Sequence, residues 1–388
     1  MTLFDTQKKK VTLLLDIGNG SVAVALAYIA TDGAQPEVVR YIREPLSPQT
    51  KPTGAELQIA LIKTLKDTLQ TFLEQEKGTN KKPLIKLRDA TSILCTLSSP
   101  WFFSKGKTVS ISQDKSFVMT ERFLADVLSK EVGLFTEEIG TADDLHIVEK
   151  TILGATVNGY HLLSPLHQRT CACDIYIYMS AANARLIDQI MTTVGMFSHL
   201  SHEHVRFHSF PLVAFSVIRD KFPTVHEYLL FDIAGEITDI AWVSGGMIVK
   251  TVSYPCGTHL LVRQIAKHFD VPYEVGRSYL RLFLDERATK VMTDDIRALL
   301  VGSGKEFNIY LEEALKTLSP ELALPHHIFV STYPHALEVF TEFLKQDSGS
   351  RMSTWRDHLV VTYLGEEAIQ KSEDAFLSLE AVFLSKFL

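Results

Sequence analysis

The sequence predicts a two-lobed α/β protein, and three observations carry that prediction. Two strand-turn-strand hairpins, each with an aspartate at the end of its first strand, open separate halves of the chain: LLLDIGNGSVAVAL at 13–26 and LLFDIAGEITDIAWV at 229–243. Helices with one apolar face accompany them, since Leu57, Leu61, Leu65 and Leu69 recur every four residues and Leu186, Ile190 and Val194 repeat at helical spacing. Between the halves, Arg88 to Gln168 reads as a small inserted α+β module with a different pattern.

Taken in order, Val11 to Ile29 is an apolar strand, a tight turn at Gly18-Asn19-Gly20 and a returning strand. Ala55 to Glu76 is the first helix, with Phe72 continuing its stripe, and Lys77 to Lys82 is a polar loop closed by Pro83. Inside the module, Ala90 to Leu97, Lys107 to Ile111 and Leu145 to Ile152 read as strands, and Thr120 caps a helix reaching Leu134. The main architecture resumes with a strand at Cys173 to Met179 and a helix at Ser180 to Met196. The second hairpin runs Tyr228 to Ile233, turn, Thr238 to Val243, and Gly245-Gly246 leads into a further strand, Met247 to Tyr254.

Composition narrows the function classes. With 388 residues and 46% hydrophobic content the chain can bury more than one core, and its net charge of -7 gives no general attraction to nucleic acid or to an anionic membrane. The opening MTLFDTQKKK lacks the apolar core of a signal peptide, and no stretch approaches the roughly 20 apolar residues that span a bilayer. A cytoplasmic location is expected. Four scattered cysteines agree with a reducing compartment.

The chemistry concentrates in the two turns. A strand ending in Asp followed by glycine places a carboxylate at the sheet edge, where it can hold Mg²⁺ beside bare backbone N–H groups that face phosphate. Gly18 and Gly20 permit close backbone approach, Ser21 adds a hydroxyl, and Asp232 with Gly235 offers a second copy. Two such hairpins suit two related lobes clamping one phosphate chain and its metal.

These two stretches resemble the paired phosphate motifs of the actin and sugar-kinase superfamily, in particular bacterial actin homologues of the FtsA (cell division) and PilM (type IV pilus) type. HSFPLVAFSVIRD resembles that family's first connecting helix, and LPHHIFVSTYPHALEVFTEFL its adenosine strand, turn and helix. The resemblance implies a two-lobed actin-like (ribonuclease H-like) ATPase fold with an inserted small α+β 1C-like subdomain. Lobe 1A would comprise 1–87 and 169–207, the 1C-like insertion 88–168, lobe 2A 208–270 and 325–371, subdomain 2B 271–324, and a C-terminal helix or tail 372–388. It implies ATP and Mg²⁺ as cofactors, with Asp16 and Asp232 as catalytic and metal-holding carboxylates. Gly18, Asn19, Gly20, Ser21, Ala234, Gly235, Glu236, Thr238, Ser331, Thr332 and Tyr333 would line the nucleotide. The implied role is a cytoplasmic, nucleotide-regulated scaffold of the bacterial cytoskeleton, peripheral to the inner membrane, with self-association or filaments and a membrane-protein partner, no nucleic acid, and slow ATP hydrolysis if any. The alternatives are a small-molecule kinase of the same superfamily and an actin-like pseudo-ATPase that only binds.

Departures from the family pattern bear on the chemistry. FtsA-like chains read Asp-Ile-Gly-Gly-Gly-Thr-Thr-Asp where this one reads Asp232 to Asp239 with Ala234, Glu236 and Ile237. A Glu236 carboxylate aimed at a phosphate roughly 4 Å away would cost on the order of 4 kcal/mol at an effective dielectric near 20. Ser331-Thr332-Tyr333-Pro334 replaces the glycine run of the adenosine motif, with Tyr333 a candidate to stack on the base. Phe210 precedes Pro211 where many relatives carry an acid or amide that orients water.

Three other features are read as structural. His199, His202, His204 and His208 suit a solvent-facing strand edge, Cys171 and Cys173 suit packing, and Gly302-Ser303-Gly304-Lys305 suits a charged turn. At the C-terminus, Phe376, Leu379, Phe383 and Phe387 fall near one side of a notional helix interrupted by Glu380. Membrane contact and docking on the protein's own core or on a protein partner are all open for it.

Overall fold

A computed structural model describes residues 9–30, 34–46, 53–78, 85–140, 144–319, 324–333, 336–346, 353–365 and 374–386. The strands of its first half are β1 (Lys9–Ile17), β2 (Ser21–Ala30), β3 (Glu37–Pro45), β4 (Ser92–Leu97), β5 (Phe102–Val118), β6 (Leu145–Val157), β7 (Tyr160–Leu162), β8 (Arg169–Asn183) and β9 (Val205–Ser209). The second half contributes β10 (Tyr228–Ile233), β11 (Thr238–Ser244), β12 (Met247–Tyr254), β13 (His327–Thr332) and β14 (Val360–Tyr363). The helices are α1 (Gly54–Gly78), α2 (Glu121–Ile139), α3 (Ala184–Gly195), α4 (Phe210–Lys221), α5 (Thr258–His268), α6 (Tyr273–Leu284), α7 (Lys290–Leu318), α8 (Leu337–Lys345), α9 (Ser353–Arg356) and α10 (Ala375–Leu384).

One topology is used twice. The first sheet is ordered β3-β2-β1-β4-β9 and the second β12-β11-β10-β13-β14. In each, three strands form an antiparallel meander and the last two join in parallel. Parallel pairing demands a crossover, and helices supply it. On the first sheet's outer face, α1 and α3 bury Leu61, Leu65, Leu69, Phe72, Leu186 and Ile190 against Leu13, Leu15 and Ile93. The start of α1 is fixed by a capping box: Thr53 N–H donates to Glu56 Oε2 (3.0 Å) and Glu56 N–H to Thr53 Oγ1 (3.3 Å). Helices α5 to α8 cover the second sheet's outer face in the same manner.

The inner faces of the two sheets share a third core with α4 and α10. Each of these helices follows the last strand of its half, so α10 is the topological counterpart of α4. Small side chains on β2, Ala23, Ala25 and Ala27, leave room for α10 on the first sheet. All ten residues of α10 are buried. Its larger apolar side chains contribute about 1.5–3 kcal/mol each on full burial, which outweighs the cost of the one carboxyl among them.

Several expectations from the sequence are corrected. Strand β4 sits inside the first sheet, and β8 is an inner strand of a separate sheet ordered β5-β8-β6-β7, faced by α2. The segment with its own sheet therefore runs from Phe102 to Asn183, because β8 needs β5 and β6 as partners. Ser180 to Asn183 continue β8, and Asn183 caps α3 by accepting from Leu186 N–H (3.2 Å). Gly302 to Lys305 lie within α7; Gly304 is buried where a Cβ would meet Phe343 at 2.9 Å, so the small residue lets α7 pack on α8. His204 lies in a single turn before β9, 4.0 Å from the exposed Glu203 carboxylate, and His208 reaches the buried Glu149 (3.3 Å). Cys173 is buried but Cys171 is exposed, where the β5 partner strand bulges after Ser112. The terminal segment presents no amphipathic face along 375–384, since Phe376, Leu379, Glu380 and Phe383 all lie in the core. Phe387 lies outside the described residues. No described helix is long and apolar enough to cross a membrane.

Candidate interlobe site

The sheet register places both aspartates in equivalent positions. Asp16 occurs near the end of β1, a central strand rather than a sheet edge, between Ala23 and Thr96; Asp232 occurs near the end of β10, between Asp239 and Ser331. Both are buried, and the two turns that follow them meet across the inner core.

Asp16 is engaged by Arg43 from β3. Arg43 Nη1 lies 2.8 Å from Asp16 Oδ2, while its Nε and Nη2 donate to the two carboxylate oxygens of Asp374 at 2.6 and 2.9 Å. Asp374 also caps α10, accepting from Leu377 N–H at 3.1 Å. One guanidinium thus joins the phosphate-motif carboxylate to the start of the last helix. Burial pushes the Asp16 carboxyl above its ordinary value, Arg43 pulls it down, and Asp374 adds repulsion; the net shift is upward.

Asp232 has no such partner. Among the described residues no cation is ion-paired to it, and the one side-chain hydroxyl that draws its carboxyl down is that of Ser98. Burial first, then the charges of Asp239 and Asp16, push its carboxyl well above the ordinary range. Glu380 of α10 is likewise buried without a cation partner of its own among the described residues; burial and then Asp16 push its carboxyl well up, with Thr96 drawing it back in part.

The turns are held together by chain-to-chain contacts. A Cβ added at Gly20 would lie 2.7 Å from Gly235 Cα, and one at Gly235 would lie 2.4 Å from Gly20 Cα. Glu236 N–H donates to Asn19 Oδ1 (2.6 Å), and Asn19 Nδ2 donates to Ser99 O (2.5 Å). Tyr333 OH reaches Ser21 Oγ at 2.8 Å, and Arg43 Nη1 donates to the same hydroxyl at 2.8 Å. The amides are largely spent inside the turns: Gly18 N–H donates to Ser21 O, Ala234 N–H to Ile237 O, and the first amides of α5, Thr258 and His259, to Ala234 O and Gly235 O.

Every residue expected from the sequence is thereby placed. Asn19, Gly20 and Ser21 meet Glu236, Gly235 and Tyr333 respectively, Gly18 closes the first turn on Ser21, Ala234 closes the second on Ile237, and Ser331 of β13 pairs with Asp232 of β10. Thr238 and Thr332 spend their hydroxyls on Cys256 O (2.6 Å) and Ile233 O (2.9 Å). Glu236 turns away from the cleft to His259 (3.0 Å) and Arg263 (2.7 Å). Burial pushes its carboxyl up, but those two partners outweigh burial and hold it below the ordinary value. The repulsion expected of Glu236 is therefore removed by a cation on α5. Phe210 is fully buried, its ring 5.4 Å from Phe376, and Phe376 lies 5.7 Å from Tyr333. The aromatic at 210 thus packs on the last helix.

Sequence reasoning missed Arg43, Asp374, His259 and Arg263. Asp374 had a local signal, an aspartate just before an apolar helix. Arg43 and the pair on α5 had none.

No protein-family model matches the chain, and no curated protein matches it in sequence. Among solved structures it is similar to a chain of a PilM–PilN type IV pilus biogenesis complex at 14% identity, covering 96% of both chains with a TM-score of 0.59. It is also similar to the ethanolamine utilization protein EutJ from Carboxydothermus hydrogenoformans (13% identity, 97% and 89% covered, TM-score 0.46). A third similarity is to MreB 5 of Spiroplasma citri, a structure bound to AMPPNP (12% identity, 97% and 95% covered, TM-score 0.41). The chain has the actin-like ATPase fold.

Proposed function

We propose that the chain is an actin-like scaffold that acts by binding rather than by turnover, at a membrane-associated assembly of the kind to which the PilM–PilN complex belongs. The observation that supports this most directly is the interlobe site, where Asp16 is ion-paired to Arg43 and the two glycine turns are in backbone contact. A phosphotransferase needs an accessible carboxylate beside a substrate pocket, and here both motif carboxylates are buried. The residues present do not fit Mg²⁺-ATP in this arrangement, since no gap separates the turns that would hold its phosphates. In this reading the sheet β5-β8-β6-β7 with α2 is the interaction module, in the role of a 1C-like subdomain, and it captures a membrane-protein partner or a second copy.

The test has two arms. Phosphate release by purified protein with Mg²⁺-ATP should fall far below typical turnover of about 10 per second. Pull-downs from native extract should recover a membrane protein with the intact chain and lose it when residues 102–183 are replaced by a short linker in a variant shown to remain folded. Turnover in the ordinary enzymatic range, or identical partners with both proteins, sinks the reading.

A further inference from the structure

The contacts between the two turns run directly from chain to chain. Three independent links each join a group of the first half to a group of the second: Gly20 against Gly235, Asn19 to Glu236 N–H, and Ser21 to Tyr333. A methyl group does not fit between Gly20 and Gly235, and a phosphate is larger. The hydrogen bonds use the groups that a phosphate chain would otherwise claim: an amide of the second turn and the hydroxyl beside the first. Arg43, ion-paired to Asp16, is engaged by two carboxylates and that same hydroxyl. Below them Phe376 packs on both Phe210 and Tyr333.

We propose that these links form a built-in lock that takes the place of a bridging ligand, holding the lobes closed and leaving the site unable to take Mg²⁺-nucleotide. A bridging nucleotide closes a two-lobed clamp only through its higher affinity for the closed state. Here the chain supplies the bridging contacts itself, so the closed state needs no ligand. Helix α10 is not a detachable plug in this arrangement, because it is the counterpart of α4 and belongs to the fold. The inference rests on the scaffold reading for its consequence: partners meet one fixed surface whatever the nucleotide level.

Isothermal titration and small-angle scattering of the full chain, with and without millimolar Mg²⁺-ATP, test the lock together with hydrogen exchange at the turn amides. Wild type should show no saturable heat and an unchanged scattering profile. Tyr333→Phe and Asn19→Ala each remove one cross-lobe hydrogen bond without adding bulk, and exchange at the turn amides should rise roughly two- to tenfold in each. Gly235→Val, which wedges the turns apart, should enlarge the radius of gyration; if it fails to fold, the two conservative variants still decide. Saturable Mg²⁺-ATP binding by wild type overturns the proposal, as does unchanged exchange in both conservative variants. Loss of partner capture bears on the scaffold reading alone, because the lock is read by closure and nucleotide binding, so the two can fail separately.

Discussion

The two sheets build the same row of three residues at their motif aspartates and fill it differently. Across the first sheet the row is Asp16, Ala23, Arg43; across the second it is Asp232, Asp239, Ser253. The first row holds an acid and a base with a small residue between them. The second holds two adjacent acids and a hydroxyl, with Ser253 Oγ donating to Asp239 Oδ1 at 2.5 Å. One row is therefore an ion pair and the other sets two acids side by side, where burial pushes the carboxyls of both Asp239 and Asp232 above their ordinary value. Equivalent backbone positions do not guarantee equivalent chemistry. The neighbours decide the charge.

The sharpest way to break the comparison is to remove the base. Arg43→Ala leaves Asp16 and Asp374 buried without a cation, and losing one partner of a buried pair costs on the order of 3–5 kcal/mol. Chemical denaturation should show that loss, and an Asp16→Asn, Arg43→Ala double variant should recover part of it. Serine at 253 carries no such weight, so Ser253→Ala should cost about 1 kcal/mol. Equal losses at 43 and 253 would mean that the rows are electrically alike.

The contact between the turns comes next in size. Gly235→Ala places a methyl 2.4 Å from Gly20 Cα, and overpacking of this kind costs about 1–3 kcal/mol. Gly133→Ala, where nothing lies within 4 Å in the middle of α2, should be neutral or stabilising by about 1 kcal/mol. Thermal unfolding of the two variants checks the difference.

Why the turns were legible and the rows were not follows from range. Asp16, Gly18 and Gly20 lie within one local turn, as do Asp232 and Gly235, so aspartate and glycine alone announce them. Arg43 reaches Asp16 because of the β2–β3 register, which shifts by an irregularity at Leu26/Ala27, and because Asp374 arrives from the far end of the chain. Neither condition has a local signature. Glu380 was visible as an interruption in an apolar run, but that helix has no polar face, so its periodicity gave no direction and left membrane contact and docking on the core both open. The limits of the inserted sheet were missed for the same reason: β4 and β8 are both apolar strands, and only their partners assign them to different sheets.

The smallest expected effect concerns pH and separates carboxyls raised by burial from the one lowered by pairing. Glu236 is held below its ordinary value of 4.5 by His259 and Arg263 despite partial burial. Its contribution is complete above that value and lost as pH falls through the folded-state value, because the unfolded chain then binds more protons. Glu380 behaves oppositely. Its folded-state carboxyl lies well above 4.5, and Asp16 on β1, Arg43 on β3 and Asp374 at the head of α10 face it. Between the unfolded and folded values the native state holds the extra proton, so its contribution falls as pH rises through that window. Glu236→Gln should cost about 1 kcal/mol at neutral pH and flatten the acid limb of the stability profile. Glu380→Gln should be neutral or stabilising at neutral pH and should flatten the decline on the alkaline side of 4.5. Denaturation midpoints of both variants across that range decide it; two profiles bending the same way would mean that Glu380 is solvated and charged in the folded protein.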